Sequence, residues 1–281
     1  YTQPNPVIPC RDKELVIGER TLIMGILNIT PDSFSDGGRY NNVDAAVQKA
    51  QEMVQQGADI IDIGGESTRP GHTPVSDEEE IRRIVPVIEA VRQVVDVPIS
   101  IDTYKSAVAR AALEAGAHII NDIWGLKKDP EMGAVIAEYH AAAVVMHNRE
   151  HAVYSQLVPD VIQDLKECIR LGRAAGIKDE QLILDPGIGF AKTVQENLEL
   201  MNHLSEIVGL GYPVLLGTSR KSMIWRTLQL PVDQILEGTI ATVVMGIMQG
   251  CHIMRVHDVE EVSKASRITD AMLRSGSSQG V

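Results

Sequence analysis

From residue 22 onward the chain repeats one unit: a short apolar run, a polar or glycine stop, then a stretch with helical spacing. The first run reaches Leu27 and stops at Asn28, and further runs cover 58–63, 97–101, 118–120, 141–146, 182–184, 213–216 and 252–254. Helical patterns lie between them at 44–56, 76–94, 105–115, 130–140, 159–175, 193–203, 220–228, 232–249 and 258–273. Ser76 with Glu79 three residues on has the capping-box spacing, and Gly57, Gly116 and Gly176 stand where helices should stop. Strands that are apolar along their whole length are those buried on both faces of a parallel sheet. Eight such strand–helix units fit an α/β fold of the (β/α)8 TIM barrel kind first and a doubly wound open sheet second. No GxGxxG follows the first strand, which weakens the open-sheet dinucleotide reading.

The expected layout is a single domain with a short N-terminal hairpin. Residues 1–14 read as a flexible arm rich in proline, 15–275 as the barrel and 276–281 as a frayed tail. The hairpin is expected within 15–26, turning at Gly18. With 281 residues and 44% hydrophobic content, the chain can bury one large core, although aromatics are only 4% and Ile, Leu, Val, Met and Ala must fill it. The net charge of −12 argues against a nucleic-acid or anionic-membrane surface, so an anionic ligand needs a local cluster of positive groups. Cys10, Cys168 and Cys251 are far apart and read as idle thiols in a reducing compartment. No stretch reads as a signal peptide or membrane span, so a cytoplasmic location is expected.

Barrel sites form where strands end. The residues delivered there are Asn28, Glu66 with Thr68 and Arg69, Asp102, Asn121, Met146, Asp185, then Gly217 with Arg220, Lys221 and Ser222, and finally Arg255 and His257. Desolvated carboxylates need partners. A flat heterocycle with an N–H/NH2 edge could give Asp185 two parallel hydrogen bonds, and Asn121 suits a ring that both donates and accepts. The plainer alternative is a salt-bridged barrel plug. Arg255 and His257 can both donate to an anion, and Asn28 with a diphosphate could share a hard cation such as Mg2+. Ser219 to Ser222 open a helix whose start suits a carboxylate. Phe190 is either a stacking wall or loop packing. The long polar loop 30–38, with Phe34 at its centre, is either a lid or an ordinary surface loop. His147, His151 and His252 form no metal-binding pattern, and His252 reads as a hydrogen-bonded core histidine.

Six segments in order, MGILNITPDSFSDGG (24–38), IGGESTRPG (63–71), ISIDT (99–103), ILDPGIGF (183–190), GTSRKS (217–222) and RVHDV (255–259), closely resemble the dihydropteroate synthase family. Ala191, where many members have a second glycine, and Thr218 are minor departures. The resemblance implies a barrel, usually a homodimer, and a target of sulfonamide inhibitors. It implies an enzyme that joins p-aminobenzoate to 6-hydroxymethyl-7,8-dihydropterin diphosphate with Mg2+, releasing pyrophosphate. By resemblance, Asp102, Asn121, Asp185, Lys221, Met146 and Gly217 hold the pterin. Asn28 meets the Mg2+, and Asn28, Thr68, Arg255 and His257 meet the diphosphate. Phe34, Arg69, Pro70, Phe190, Lys221 and Ser222 border p-aminobenzoate, with Asp36 on the closing loop. Asp102, Asp36, Lys221 and Arg255 would carry the chemistry, along an SN1-like path. A corrinoid-linked pterin-binding methyltransferase and a catalytically silent pterin-binding paralogue are the alternatives.

Overall fold

The computed structural model describes residues 4, 6–29, 39–65 and 74–276. The hairpin forms earlier than its sequence suggests. β1 (Val7–Cys10) pairs antiparallel with β2 (Lys13–Val16), so residues expected in a loose arm are strand. The turn falls at Arg11 and Asp12, with Arg11 itself at a positive φ of 65°, and not at Gly18. Arg11 Nη1 donates to the carbonyls of Leu113 (2.6 Å) and Ala117 (2.7 Å), which ties the turn to the barrel.

The barrel strands follow as β3 (Leu22–Asn28), β4 (Ile60–Gly64), β5 (Ile99–Asp102), β6 (Ile119–Asp122), β7 (Ala142–Met146), β8 (Leu182–Asp185), β9 (Leu215–Leu216) and β10 (Ile253–Val256). All are parallel, in the order β8-β7-β6-β5-β4-β3-β10-β9. A parallel bridge from Leu184 to Val214 brings β8 against β9 and closes the barrel. The helices are α1 (Arg39–Gln56), α2 (Asp77–Arg92), α3 (Ser106–Glu114), α4 (Met132–Glu138), α5 (Leu157–Ala175), α6 (Val194–Met201), α7 (Leu204–Val208), α8 (Ser222–Leu228), α9 (Leu236–Met248) and α10 (Val259–Arg274). The stretch expected as one helix over 193–203 ends at Asn202, and α7 restarts after His203. Ser76 caps α2 by accepting the Glu79 N–H, while the Glu79 carboxylate turns outward to Arg82 and Arg83. Gly176 ends α5 in the left-handed conformation at φ 94°.

Two apolar layers result from the period of two along each strand. Residues such as Ile61, Ile63, Ile99, Ile101, Val145 and Leu184 pack outward against the helices. Met24, Ile60, Ile119, Val144, Ile183, Leu215 and Ile253 meet inside the barrel, and Ile8, Cys10, Leu15 and Ile17 of the hairpin join them. The hairpin is therefore a plug for the end of the barrel where the strands begin. Ile8 is fully buried in that plug. Ile8→Ala should destabilise the fold by about 2–5 kcal/mol through lost burial and a cavity, read as a lower urea midpoint. An unmoved midpoint would place the hairpin outside the core.

Candidate active site

Moving two residues further along four of the inward columns, the side chains change from apolar to polar. Ile60 gives way to Asp62, Ile119 to Asn121, Ile183 to Asp185 and Ile253 to Arg255, while β5 contributes Ser100 and Asp102. The register places Asp62 beside Ser100, Gly64 beside Asp102, and Asp102 beside Asn121. Asp102, Asn121, Met146, Asp185, Phe190, Gly217, Lys221 and Arg255 line one pocket at this end, with Ile123 and Ile188. Thus the pterin-site residues expected from sequence are brought together, with Phe190 at their edge.

Arg255 lies within β10 rather than after it, so its guanidinium reaches across the barrel. Its Nε donates to Asp62 Oδ2 (2.8 Å) and its Nη2 to Asp102 Oδ2 (3.4 Å). The other Asp62 oxygen accepts the Ser100 hydroxyl at 2.8 Å. Asp62 lies inside β4 and not at its end, so a reading of strand ends does not include it. Its parity with Ile60 is the sequence signal that finds it. Burial, with the neighbouring Asp62 charge, holds the Asp102 carboxyl above the ordinary range, while Arg255 and Lys221 oppose the rise.

Asp185 is pushed up to about 6 by burial, although it accepts the Gly187 N–H at 2.8 Å. The Lys221 ammonium is pushed down to about 8, by burial first and by Arg255 second. It stands 4.6 Å from the Phe190 ring centre, a cation–π contact. Asn121 Oδ1 is buried and has no hydrogen-bond partner among the described residues. A buried orphan acceptor at the floor of a pocket is suited to a ligand N–H.

His257 is held neutral, its value pushed down to about 4 by burial and by nearby Arg220 and Arg255. Ser219 Oγ accepts the His257 backbone N–H (3.2 Å) and lies 2.7 Å from Nδ1. With the hydroxyl proton assigned to Nδ1, the ring keeps an Nε2–H as a donor. Ser219 lies before the start of α8, which begins at Ser222. Asn28 is exposed at the end of β3, its Oδ1 beside Gly64, which the Asp102 side chain also borders. Phe34, Asp36, Thr68, Arg69 and Pro70 lie outside the described residues. His252 is hydrogen-bonded as expected, accepting the Val214 N–H at Nδ1 (3.0 Å), but it stands half-buried just before β10 and not in the core.

The model of the family described as "Pterin binding enzyme" matches residues 24–257. A dihydropteroate synthase of Clostridium beijerinckii is 59% identical over 263 residues, covering 93% of this chain and 98% of the relative. The chain belongs to the dihydropteroate synthase family. A crystal structure of the Clostridium difficile dihydropteroate synthase, obtained in the presence of pteroic acid, is 52% identical with a TM-score of 0.88, covering 92% of this chain and 98% of that one. The Yersinia pestis dihydropteroate synthase in complex with a sulfonamide drug is 43% identical with a TM-score of 0.87, covering 95% and 98%.

The departure from the family's glycine pattern at Ala191 has a structural cost. Ala191 has a positive φ of 53°, a region disfavoured for residues with a Cβ. Its carbonyl accepts the Tyr154 hydroxyl at 2.7 Å, which helps hold the conformation. Ala191→Gly in this dihydropteroate synthase family member should raise stability by about 0.5–1 kcal/mol, relief of strain exceeding the added chain entropy. Thermal unfolding checks this, and a fall in Tm would contradict it.

Proposed function

We propose that this protein is a dihydropteroate synthase, condensing p-aminobenzoate with 6-hydroxymethyl-7,8-dihydropterin diphosphate to give 7,8-dihydropteroate and pyrophosphate. The observation that carries the reading is the pocket floor: Asp102, Asn121 and Asp185 converge beside Lys221 and Arg255. Asp185 would accept from the N–H/NH2 edge of the pterin, and Asn121 Oδ1 from a further ring N–H. Lys221 would donate to the ring, with Met146 and Gly217 beside it.

Arg255 and His257 would donate to the diphosphate, together with Thr68. Asn28 is an exposed neutral oxygen ligand at the mouth, and Mg2+ is commonly held by few protein groups together with substrate phosphates. Asn28 therefore fits as its protein ligand, and the ion would supply positive charge to the leaving group. Phe34, Arg69, Pro70, Phe190, Lys221 and Ser222 would border p-aminobenzoate.

In the reaction, the methylene C–O bond breaks and its electron pair leaves with pyrophosphate. The arylamine nitrogen forms the new C–N bond and then loses a proton. Breaking the C–O bond first, in the SN1-like manner, leaves a cation spread over the pterin. Three carboxyl groups, Asp62, Asp102 and Asp185, stand with two cations, Arg255 and Lys221, and burial raises Asp102 and Asp185 above the ordinary range. A positive charge developing on the ligand would favour their ionised forms and be stabilised by them, and Asp36 from the loop would add to it. An aniline is already nucleophilic, so no base-activated nucleophile is required.

Exposed Met245 and Met248 on α9, with Ile268, Met272 and Leu273 on α10, support a homodimer across these two adjacent helices. Among the described residues no helix is long and apolar enough to cross a membrane. The three cysteines are buried and free, which supports placing the protein in the reducing cytoplasm. The net charge of −12 offers nucleic acid no attraction.

The deciding experiment is pyrophosphate release from the pterin diphosphate with Mg2+, with and without p-aminobenzoate. Release that requires p-aminobenzoate, yields dihydropteroate and is blocked by a sulfonamide is expected. Tight pterin binding without release would favour a silent paralogue or a corrinoid-linked methyltransferase. Asp185→Asn should weaken pterin binding about tenfold to a hundredfold, since charge-assisted hydrogen bonds are lost. Unchanged affinity in calorimetry would remove Asp185 from the pterin site. Wild-type affinity should also fall as pH drops through about 6, where Asp185 gains a proton.

A further inference from the structure

The turn between β8 and α6 is anchored by a lysine that is not among the residues lining the pocket. Lys192 Nζ lies 2.9 Å from the Phe190 carbonyl oxygen, 3.0 Å from that of Gly187 and 2.8 Å from His147 Nδ1. Burial pulls Lys192 down to about 7, with Asp185 opposing the fall; in the ammonium form it has three N–H donors, and these acceptors use all of them. None is left for a substrate. His147 can accept at Nδ1 because its ring is neutral, held down to about 3 by burial and by the Lys192 charge. Its proton then sits on Nε2, which donates to Asp164 Oδ2 at 2.8 Å. Arg149 Nε donates to the same Asp164 oxygen at 2.7 Å, and its guanidinium lies 4.6 Å from the Tyr154 ring centre. Tyr154 in turn donates to Ala191. A continuous path therefore runs from α5 and the loop after β7 to the backbone of Phe190.

Space on the other side is equally restricted. A Cβ at Gly187 would meet the His147 carbonyl oxygen at 2.0 Å, and one at Gly189 would meet Lys221 Cδ at 3.1 Å. Gly189 N–H is also fixed, donating to Asn197 Oδ1 at 3.0 Å. The turn is thus pressed between His147 and Lys221, with the Phe190 ring against the Lys221 ammonium.

We propose that Lys192 is a positioning residue for the arylamine subsite: by holding the carbonyls of Gly187 and Phe190 it fixes the Phe190 wall and so sets affinity for the aromatic acceptor, not for the pterin. This deepens the synthase reading and rests on it. The pterin floor stands on β5, β6 and β8, and Lys192 hydrogen bonds reach it only through Gly187, whose N–H donates to Asp185, whereas the Phe190 carbonyl is held by Lys192 directly. A wider groove between α3 and α4, lined by Ser106, Arg110, Glu114 and Glu131, carries no comparable set: Arg110 is taken up by Glu138 and Glu114 by Tyr139.

The test compares wild type, Lys192→Met and Tyr154→Phe as full chains with Mg2+. Steady-state KM for p-aminobenzoate and kcat are measured, alongside calorimetric Kd for 6-hydroxymethylpterin. Lys192→Met should raise KM for p-aminobenzoate about tenfold or more, with kcat and pterin Kd less affected. Tyr154→Phe, which removes one exterior hydroxyl, should raise the same KM about threefold. An unmoved KM, or equal losses in pterin and p-aminobenzoate affinity, would overturn the proposal. If Lys192→Met does not fold, Tyr154→Phe decides by the same criterion. A wild type that makes no dihydropteroate would sink the synthase reading and this inference with it. An active wild type with unmoved variants would sink this inference alone.

Discussion

A guanidinium inside a barrel must be paired, and the pairing of Arg255 organises the mouth of this one. Removing a charge from water costs several kcal/mol unless good partners replace the solvent. Arg255 obtains two carboxylates from two other strands, Asp62 on β4 and Asp102 on β5. Ser100 completes Asp62, so strands far apart in sequence are tied at one level. Below that level the column is Ile, Val, Leu and Met; above it are the acids, amides and cations that face a ligand. The same network that satisfies a buried charge leaves the pocket with more carboxyl groups than cations, which links packing to the proposed cation chemistry.

Most of this architecture was readable from local pattern. Strand positions such as 141–146 and 182–184 follow from uninterrupted apolar runs, and the polar residues after them lie at one end of a parallel barrel by topology alone. Asn121, Asp185 and Lys221 were found in that way. Asp62 was missed although its signal is present, since Ile60, Asp62 and Gly64 alternate toward the interior. Lys192 carries no such signal. Its partners are two carbonyls and a histidine from a different unit, and a lysine after a glycine-rich turn is usually solvated.

The N-terminal hairpin shows the same limit differently. Gly18 is the obvious turn residue, yet the chain reverses at Arg11 and Asp12. The left-handed conformation of Arg11 is offset by its side chain, which reaches the carbonyls of Leu113 and Ala117. A long-range contact overrode a local preference, and local preference is all that a reading of neighbouring residues contains.

The hairpin also gives the barrel a floor. With Ile8, Cys10, Leu15 and Ile17 sealing the end where the strands begin, the pocket at the strand ends is closed from below among the described residues. On the proposed assignment the pterin lies at the bottom and the arylamine nearer the rim, by Phe190. On that assignment depth would become order: a molecule at the rim would close the exit for what lies beneath, and the deeper one would arrive first. A plug of four side chains on the opposite face of the protein would thus impose a timetable on traffic it never touches.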